Sequence, residues 1–159
     1  MTGSFEVHSV EETWALAAKL AEELKSGDVV CLEGDLGAGK TTFTQGLAAA
    51  LGVSGRVTSP TFCIVQEHSA PALPKHCEGG PERPTLLVHM DLYRLQSESD
   101  VEAIGWEDYR TRGAVLVVEW PERAGSLIPS DARHLIFKHL EGEESRLILI
   151  DTKPTIAVQ

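Results

Sequence analysis

The chain contains no asparagine at all, and cysteine, aromatic residues and positive charge are all scarce. Its three cysteines, Cys31, Cys63 and Cys77, are far apart and odd in number, so they form no disulfide framework, and reduced thiols are expected. Fourteen basic residues stand against 24 acidic ones, a formal charge of -10, which excludes a surface that wraps nucleic acid by bulk electrostatics. If RNA is involved, a basic partner carries most of the contact. No apolar run approaches the roughly 20 residues that cross a bilayer. Met1 to Val10 has neither a basic start nor an apolar core, so a cytoplasmic protein is expected. With 42% hydrophobic and 24% charged residues, the 159-residue composition is that of one globular domain, with no repeat and no sign of a second.

What is present reads as an alternation of helix and strand. Ser9 followed by Glu12 is a capping-box pattern, and Val10, Trp14, Ala17, Ala21 and Leu24 recur at helical spacing until Gly27. Val29 to Glu33 is a short apolar run of strand type that leads into a glycine-rich turn. A second helix follows, with Phe43, Leu47, Ala50 and Leu51 on one face and Gly52 as its stop. Phe62 to Gln66 reads as extended, Leu86 to Met90 as a buried strand, and Val101 to Arg112 as one or two short helical turns. Val115 to Val118, three of its four residues β-branched, is the most strand-like run and ends at Glu119. Arg133 to Leu140 and Arg146 to Asp151 flank an acidic turn and predict a closing hairpin. Ser69 to Pro84, with four prolines and two glycines, reads as an exposed loop insertion, and residues 152–159 as a tail. The order of helix, strand and mixed strands predicts a single α/β domain over 1–159.

Gly34-Asp35-Leu36-Gly37-Ala38-Gly39-Lys40-Thr41 fits G-x-x-x-x-G-K-[ST] between an apolar strand and a helix, the context in which that pattern has a mechanism. The glycines let successive backbone N–H groups face phosphate oxygens, and the helix that begins near Gly39 offers its positive dipole end. Lys40 is expected on the β and γ phosphates and the Thr41 hydroxyl on Mg²⁺, with Thr42 completing the loop's contacts. Guanine-specific P-loop proteins usually carry N-K-x-D; a chain without asparagine cannot, so ATP is the expected nucleotide. Hydrolysis needs a carboxylate at a nearby strand end. Glu119, after Val115 to Val118, and Asp91, after Leu86 to Met90, both qualify, although acidic residues also end strands merely to solubilise them. Thr58-Ser59-Pro60-Thr61-Phe62 lies where a switch loop would sit, with Thr61 placed to meet Mg²⁺ or the γ phosphate; the alternative is an ordinary turn around Pro60. Trp120 sits at the edge of the site, and packing is the other role for such a residue. His68, His76 and Cys77 lack the paired spacing of metal ligands and read as solvated loop residues, whereas Cys31 and Cys63 read as small core residues.

Taken together these segments resemble the TsaE (YjeE) family of bacterial tRNA threonylcarbamoyladenosine biosynthesis ATPases. The phosphate loop resembles that family's G-D-L-G-A-G-K-T-T, Thr58 to Phe62 its S-P-T-[YF], His89-Met90-Asp91-Leu92-Tyr93-Arg94-Leu95 its H-x-D-x-Y-R-L, and Glu119-Trp120-Pro121 its E-W strand end. The resemblance spans nearly the whole chain in order and spacing; only the Ser69 to Pro84 loop is longer than usual. It implies a P-loop NTPase-type domain with a mixed parallel and antiparallel central sheet flanked by helices, in which Thr41 and Glu119 hold Mg²⁺, Asp91 is needed for hydrolysis, and the adenine lies near Val10 and Glu143. It also implies that the ATPase docks on a transferase made of TsaD and TsaB and meets tRNA only through that complex. A small-molecule kinase is the main alternative, though no arginine-rich lid is evident. A nucleotide-sensing module with negligible turnover is another, and differs only in rate.

Overall fold

The computed structural model describes residues 1–60, 63–73 and 85–151. The expected elements form, with one strand added at the start: β1 Gly3–Val7, α1 Val10–Glu23, β2 Val29–Glu33, α2 Lys40–Ala50, β3 Val65–Ser69, β4 Leu86–Asp91, α3 Glu98–Ala103, α4 Trp106–Thr111, β5 Val115–Glu119, β6 Arg133–His139 and β7 Arg146–Asp151. Among the described residues the strands make one sheet of seven in the order β1-β7-β6-β2-β5-β4-β3. β2 runs parallel to both β5 and β6, β4 parallel to β5, and the three outer pairings are antiparallel. The mixed sheet is therefore as expected. β2 and β5 are apolar along nearly their whole length because both faces of the sheet centre are covered.

Alternation along each strand sends side chains into two separate cores. On one face Val30, Leu32, Leu87, Val115, Val117, Leu135 and Phe137 meet α1 and α2. On the other, Cys31, Val88, Met90, Leu116 and Val118 meet Val101 and Trp106 from α3 and α4. The ends of β2, β4 and β5 consequently emerge side by side between the two layers.

Ser9 caps α1, its hydroxyl accepting from the Glu12 N–H at 3.1 Å, and the Glu12 carboxylate accepts from the His8 N–H at 2.7 Å. The Ser9 half of the capping box holds, while Glu12 reaches the residue before the cap; the buried stripe of α1 is Thr13, Leu16, Ala17, Leu20 and Ala21, rotated from the face read in the sequence. Val10 and Trp14 are exposed, and in α2 Ala50 is exposed as well. A helix needs only one stripe inside, and which stripe is set by the helix against it. Here that contact is close. A Cβ on Gly46 of α2 would lie 2.8 Å from Trp14 Cδ1 and 2.9 Å from its Cα, so the two helices approach through a position with no side chain.

Three further expectations are corrected. The run read as extended from Phe62 begins later: Val65 opens the strand, Cys63 is exposed in the preceding turn rather than in the core, and Ile64 has φ 60°. His68 is a half-buried residue of β3 rather than a solvated loop residue. Of the segment read as an exposed loop, Ser69 ends β3, while Ala70 and Leu73 are buried in the α1–α2 core. Residues 74–84 with His76 and Cys77, the 152–159 tail, and Thr61 and Phe62 lie outside the described residues. No described helix is long and apolar enough to cross a membrane.

The packing at Gly46 predicts that Gly46→Ala lowers stability by about 1–3 kcal/mol through overpacking against Trp14, despite alanine's better helix propensity. Urea unfolding of the two proteins checks it.

Candidate functional site

The central feature is the loop from Gly34 to Gly39, at the C-terminal end of β2 in the middle of the sheet. Its backbone is one that only glycine adopts freely: Gly34, Gly37 and Gly39 have φ of 147°, 77° and 104°. Gly34 has a second reason to lack a side chain, since a Cβ there would stand 2.7 Å from the Phe137 carbonyl oxygen on β6. Asp35, Leu36 and Gly37 form the exposed crest, Leu36 being 99% accessible, and Ala38 is buried beneath it. The Ala38 N–H donates to the Asp35 carbonyl at 3.0 Å and closes the turn.

α2 starts at Lys40 with Gly39 as its N-cap, and no side chain caps it. Its first intrahelical bond runs from the Phe43 N–H to the Gly39 carbonyl, which leaves the Lys40, Thr41 and Thr42 amides at the helix's positive end outside the helical ladder. A glycine loop at an uncapped helix start is an anion cradle by construction. Lys40 folds over it: Nζ donates to the Gly34 carbonyl and lies 3.5 Å from that of Asp35.

Glu119 closes the site from β5. It is buried, its Oε1 lies 4.0 Å from Lys40 Nζ, and its Oε2 is 3.0 Å from His89 Nε2 on β4. Asp91 is the register partner of Glu119, so the second expected carboxylate stands beside the first on the adjoining strand end. One Asp91 oxygen, Oδ1, accepts from the Tyr93 N–H at 3.0 Å and fixes the turn out of β4. Trp120 turns away with φ 57°, and its ring packs against Tyr93 with centroids 4.9 Å apart and planes tilted by 53°; both aromatics are exposed at the rim.

The start of α1 and the β6–β7 turn, where Val10 and Glu143 lie, are also drawn together. Val7 pairs with Arg146, and His8 Nδ1 lies 3.0 Å from Ser145 Oγ. Arg146 then joins this corner to the glycine loop: its Nη1 donates to the Glu143 and Ser145 carbonyls at 2.9 Å, and Nη2 to the Gly37 carbonyl at 3.2 Å. The structure thus brings Lys40, Glu119 and Asp91 together beside the loop and ties Glu143 to it through Arg146, whereas Trp120 turns to the rim and Val10 is exposed at the start of α1. Arg146 and His89 are the two site neighbours that sequence reasoning missed. His89 was visible as part of a motif, but nothing in one sequence shows that Arg146, distant along the chain, reaches Gly37.

The family model for threonylcarbamoyl adenosine biosynthesis protein TsaE matches residues 7–148. The chain belongs to the TsaE family. Among TsaE relatives, the tRNA threonylcarbamoyladenosine biosynthesis protein TsaE of Bacillus subtilis is 39% identical over 86% of this chain and 78% of its own length. The protein of the same name from Mycobacterium leprae is 39% identical over 84% of this chain and 80% of its own. A crystal structure of Bacillus subtilis YdiB superimposes with a TM-score of 0.70 at 31% identity, covering 96% of this chain and 86% of that one. The α/β fold with its mixed sheet is thus shared with a solved relative of this TsaE chain.

On the far side of β2, Glu33 shows the electrostatic cost of this strand end. Burial, and after it the Glu122 carboxylate, push Glu33 above its ordinary value of 4.5. Burial first, then Glu33 and Glu122, push the Cys31 thiol up to about 12, so that buried sulfur stays protonated. Because the folded state favours neutral Glu33, its contribution to stability is complete below 4.5 and is lost as the pH rises through the raised folded value. Glu33→Gln should therefore raise the melting temperature at pH 7, with the gain shrinking as the pH falls toward 4.5; thermal melts across that range check it.

Proposed function

We propose that this protein binds ATP with Mg²⁺ at the Gly34–Thr41 loop and hydrolyses it in support of tRNA threonylcarbamoyladenosine formation. The observation that carries the proposal is the junction of an uncapped helix start, an enclosed Lys40 ammonium and a buried Glu119 carboxylate 4.0 Å from it. A half-buried ammonium at a helix start facing a buried carboxylate at a strand end does little for stability that apolar residues would not do better. Facing an anion cradle, they make sense as a pair that handles phosphate.

The residues suit a metal that arrives with its nucleotide. Among the described residues no cluster of three His, Cys, Asp or Glu side chains is built to hold an ion, so a divalent cation here takes most of its ligands from phosphate and water. Thr41 at the helix start and Glu119 opposite are the protein groups that would complete its shell. When bound, Mg²⁺ neutralises phosphate charge and stabilises the leaving oxygens. Lys40 exchanges its loop carbonyls for the β and γ phosphate oxygens, and the free amides of α2 bind the remaining charge. Asp91, on the strand end beside Glu119, orients the attacking water. The corner held by Arg146 between Val10 and Glu143 receives the adenine.

The relatives named above are tRNA threonylcarbamoyladenosine biosynthesis proteins, which supports placing this chain in the same pathway. A chain of formal charge -10 that carries a P-loop fits an ATPase that acts on a transferase of the TsaD and TsaB kind rather than on tRNA itself. Turnover by the isolated chain is expected to be slow, with the transferase accelerating it.

Lys40→Ala should weaken ATP binding by about tenfold to a hundredfold, the worth of charged hydrogen bonds to phosphate, while the circular dichroism spectrum is retained. Calorimetry with ATP checks this, and unchanged affinity rejects the site. A phosphate-release assay with the TsaD and TsaB proteins present should show free phosphate and stimulation. Label retained on a small acceptor would instead make the protein a kinase.

A further inference from the structure

His89 has no role in the reading above, yet the fold encloses it completely and sets it against Glu119. Its exposure is 0%, Nε2 lies 3.0 Å from Glu119 Oε2, and the other ring nitrogen, Nδ1, has no hydrogen-bond partner. An ionised carboxylate can only accept, so in this contact Nε2 carries the hydrogen and, in the neutral ring, Nδ1 is left as a bare buried acceptor. The face of the β3–β4 pair around the ring does not relieve it. Gln66 stands directly opposite His89 and His68 two residues further along the same face, and Gln66 Oε1 and His68 Nε2 are likewise without partners. Among the described residues the ring's one hydrogen bond is to Glu119. Leu87, two residues earlier on the same face of β4, packs in the core with no such cost. A histidine that leaves one nitrogen unsatisfied to spend the other on a carboxylate is placed there for the carboxylate.

We propose that His89 is a positioning residue for Glu119. Its Nε2–H takes Oε2, and the carboxylate, whose terminal torsion is otherwise broad, is held with Oε1 toward Lys40 Nζ and the mouth of the phosphate loop. One oxygen is tied back into the fold so that the other faces forward. The contact itself stands on the geometry; its consequence for Mg²⁺ rests on the function proposed above. A partner behind a ligand matters in this way because it removes alternative orientations before the metal arrives.

The test compares His89→Gln, whose terminal amide nitrogen can stand where Nε2 does, with His89→Asn, whose shorter amide reaches only the Nδ1 position, and with His89→Leu. Calorimetric ATP binding is measured across a Mg²⁺ titration. His89→Asn and His89→Leu should require about tenfold more Mg²⁺ or worse to reach half-maximal binding, with metal-free ATP affinity unchanged and with His89→Gln restored to near the parent. Separately, ¹⁵N NMR of the metal-free parent should show His89 protonated at Nε2 and bare at Nδ1. The proposal is overturned if the ring carries its hydrogen on Nδ1 with Nε2 bare, if His89→Asn matches the parent, or if His89→Gln is as impaired as His89→Leu. Should His89→Leu fail to fold, the comparison of Gln with Asn and the NMR tautomer decide. Should the parent show no Mg²⁺-dependent ATP binding, the proposed function falls, and the NMR tautomer alone decides whether His89 holds Glu119.

Discussion

The structure turns on a carboxylate kept inside the protein. Glu119 sits at the end of a strand whose other residues are wholly buried, between the His89 imidazole and the Lys40 ammonium. Burying a charge is tolerated only with partners, and both partners come from other strands and loops. β4 must lie beside β5 in register to supply His89, and the loop after β2 must fold back to supply Lys40. The order of the central strands and the shape of the glycine loop are thus tied to one acidic side chain.

That constraint explains how the two cores divide the work. The core under α1 and α2 supports the helix whose start forms the cradle, and the close approach at Gly46 holds that helix against α1. The core under α3 and α4 packs the opposite face of the same strands. Arg146 adds a third tie, linking the loop crest to the β6–β7 turn through three backbone carbonyls. A phosphate loop is only as well ordered as its supports, and here they come from β6, β7 and α1 as well as from β2.

Much of the fold was legible because its signals are local. Continuous apolar runs marked β2, β4 and β5, and Ser9 with Glu12 marked the start of α1. The glycine loop was legible for a stronger reason, since its spacing between a strand and a helix dictates the positive φ angles that only glycine adopts freely. The misreadings fell where the signal is weak or distant. β1 is half exposed, with apolar residues only at Phe5 and Val7, and it becomes a strand because β7 offers it an edge. Cys63 looked like a core residue because it is small and flanked by apolar neighbours, but the positive φ at Ile64 turns the chain there and leaves it outside.

By itself, the sequence determined what is contiguous: a glycine loop between a strand and a helix, a lysine and a threonine at its exit, and two acidic strand ends. Backbone conformation and spacing are properties of neighbouring residues, and a single chain displays them. Only the tertiary structure decided which acidic residue is buried, which histidine touches it, which stripe of α1 faces inward, and that Arg146 reaches Gly37. Those facts depend on register and packing between segments far apart in the chain, where free energy is set by the partner surface and not by either segment alone.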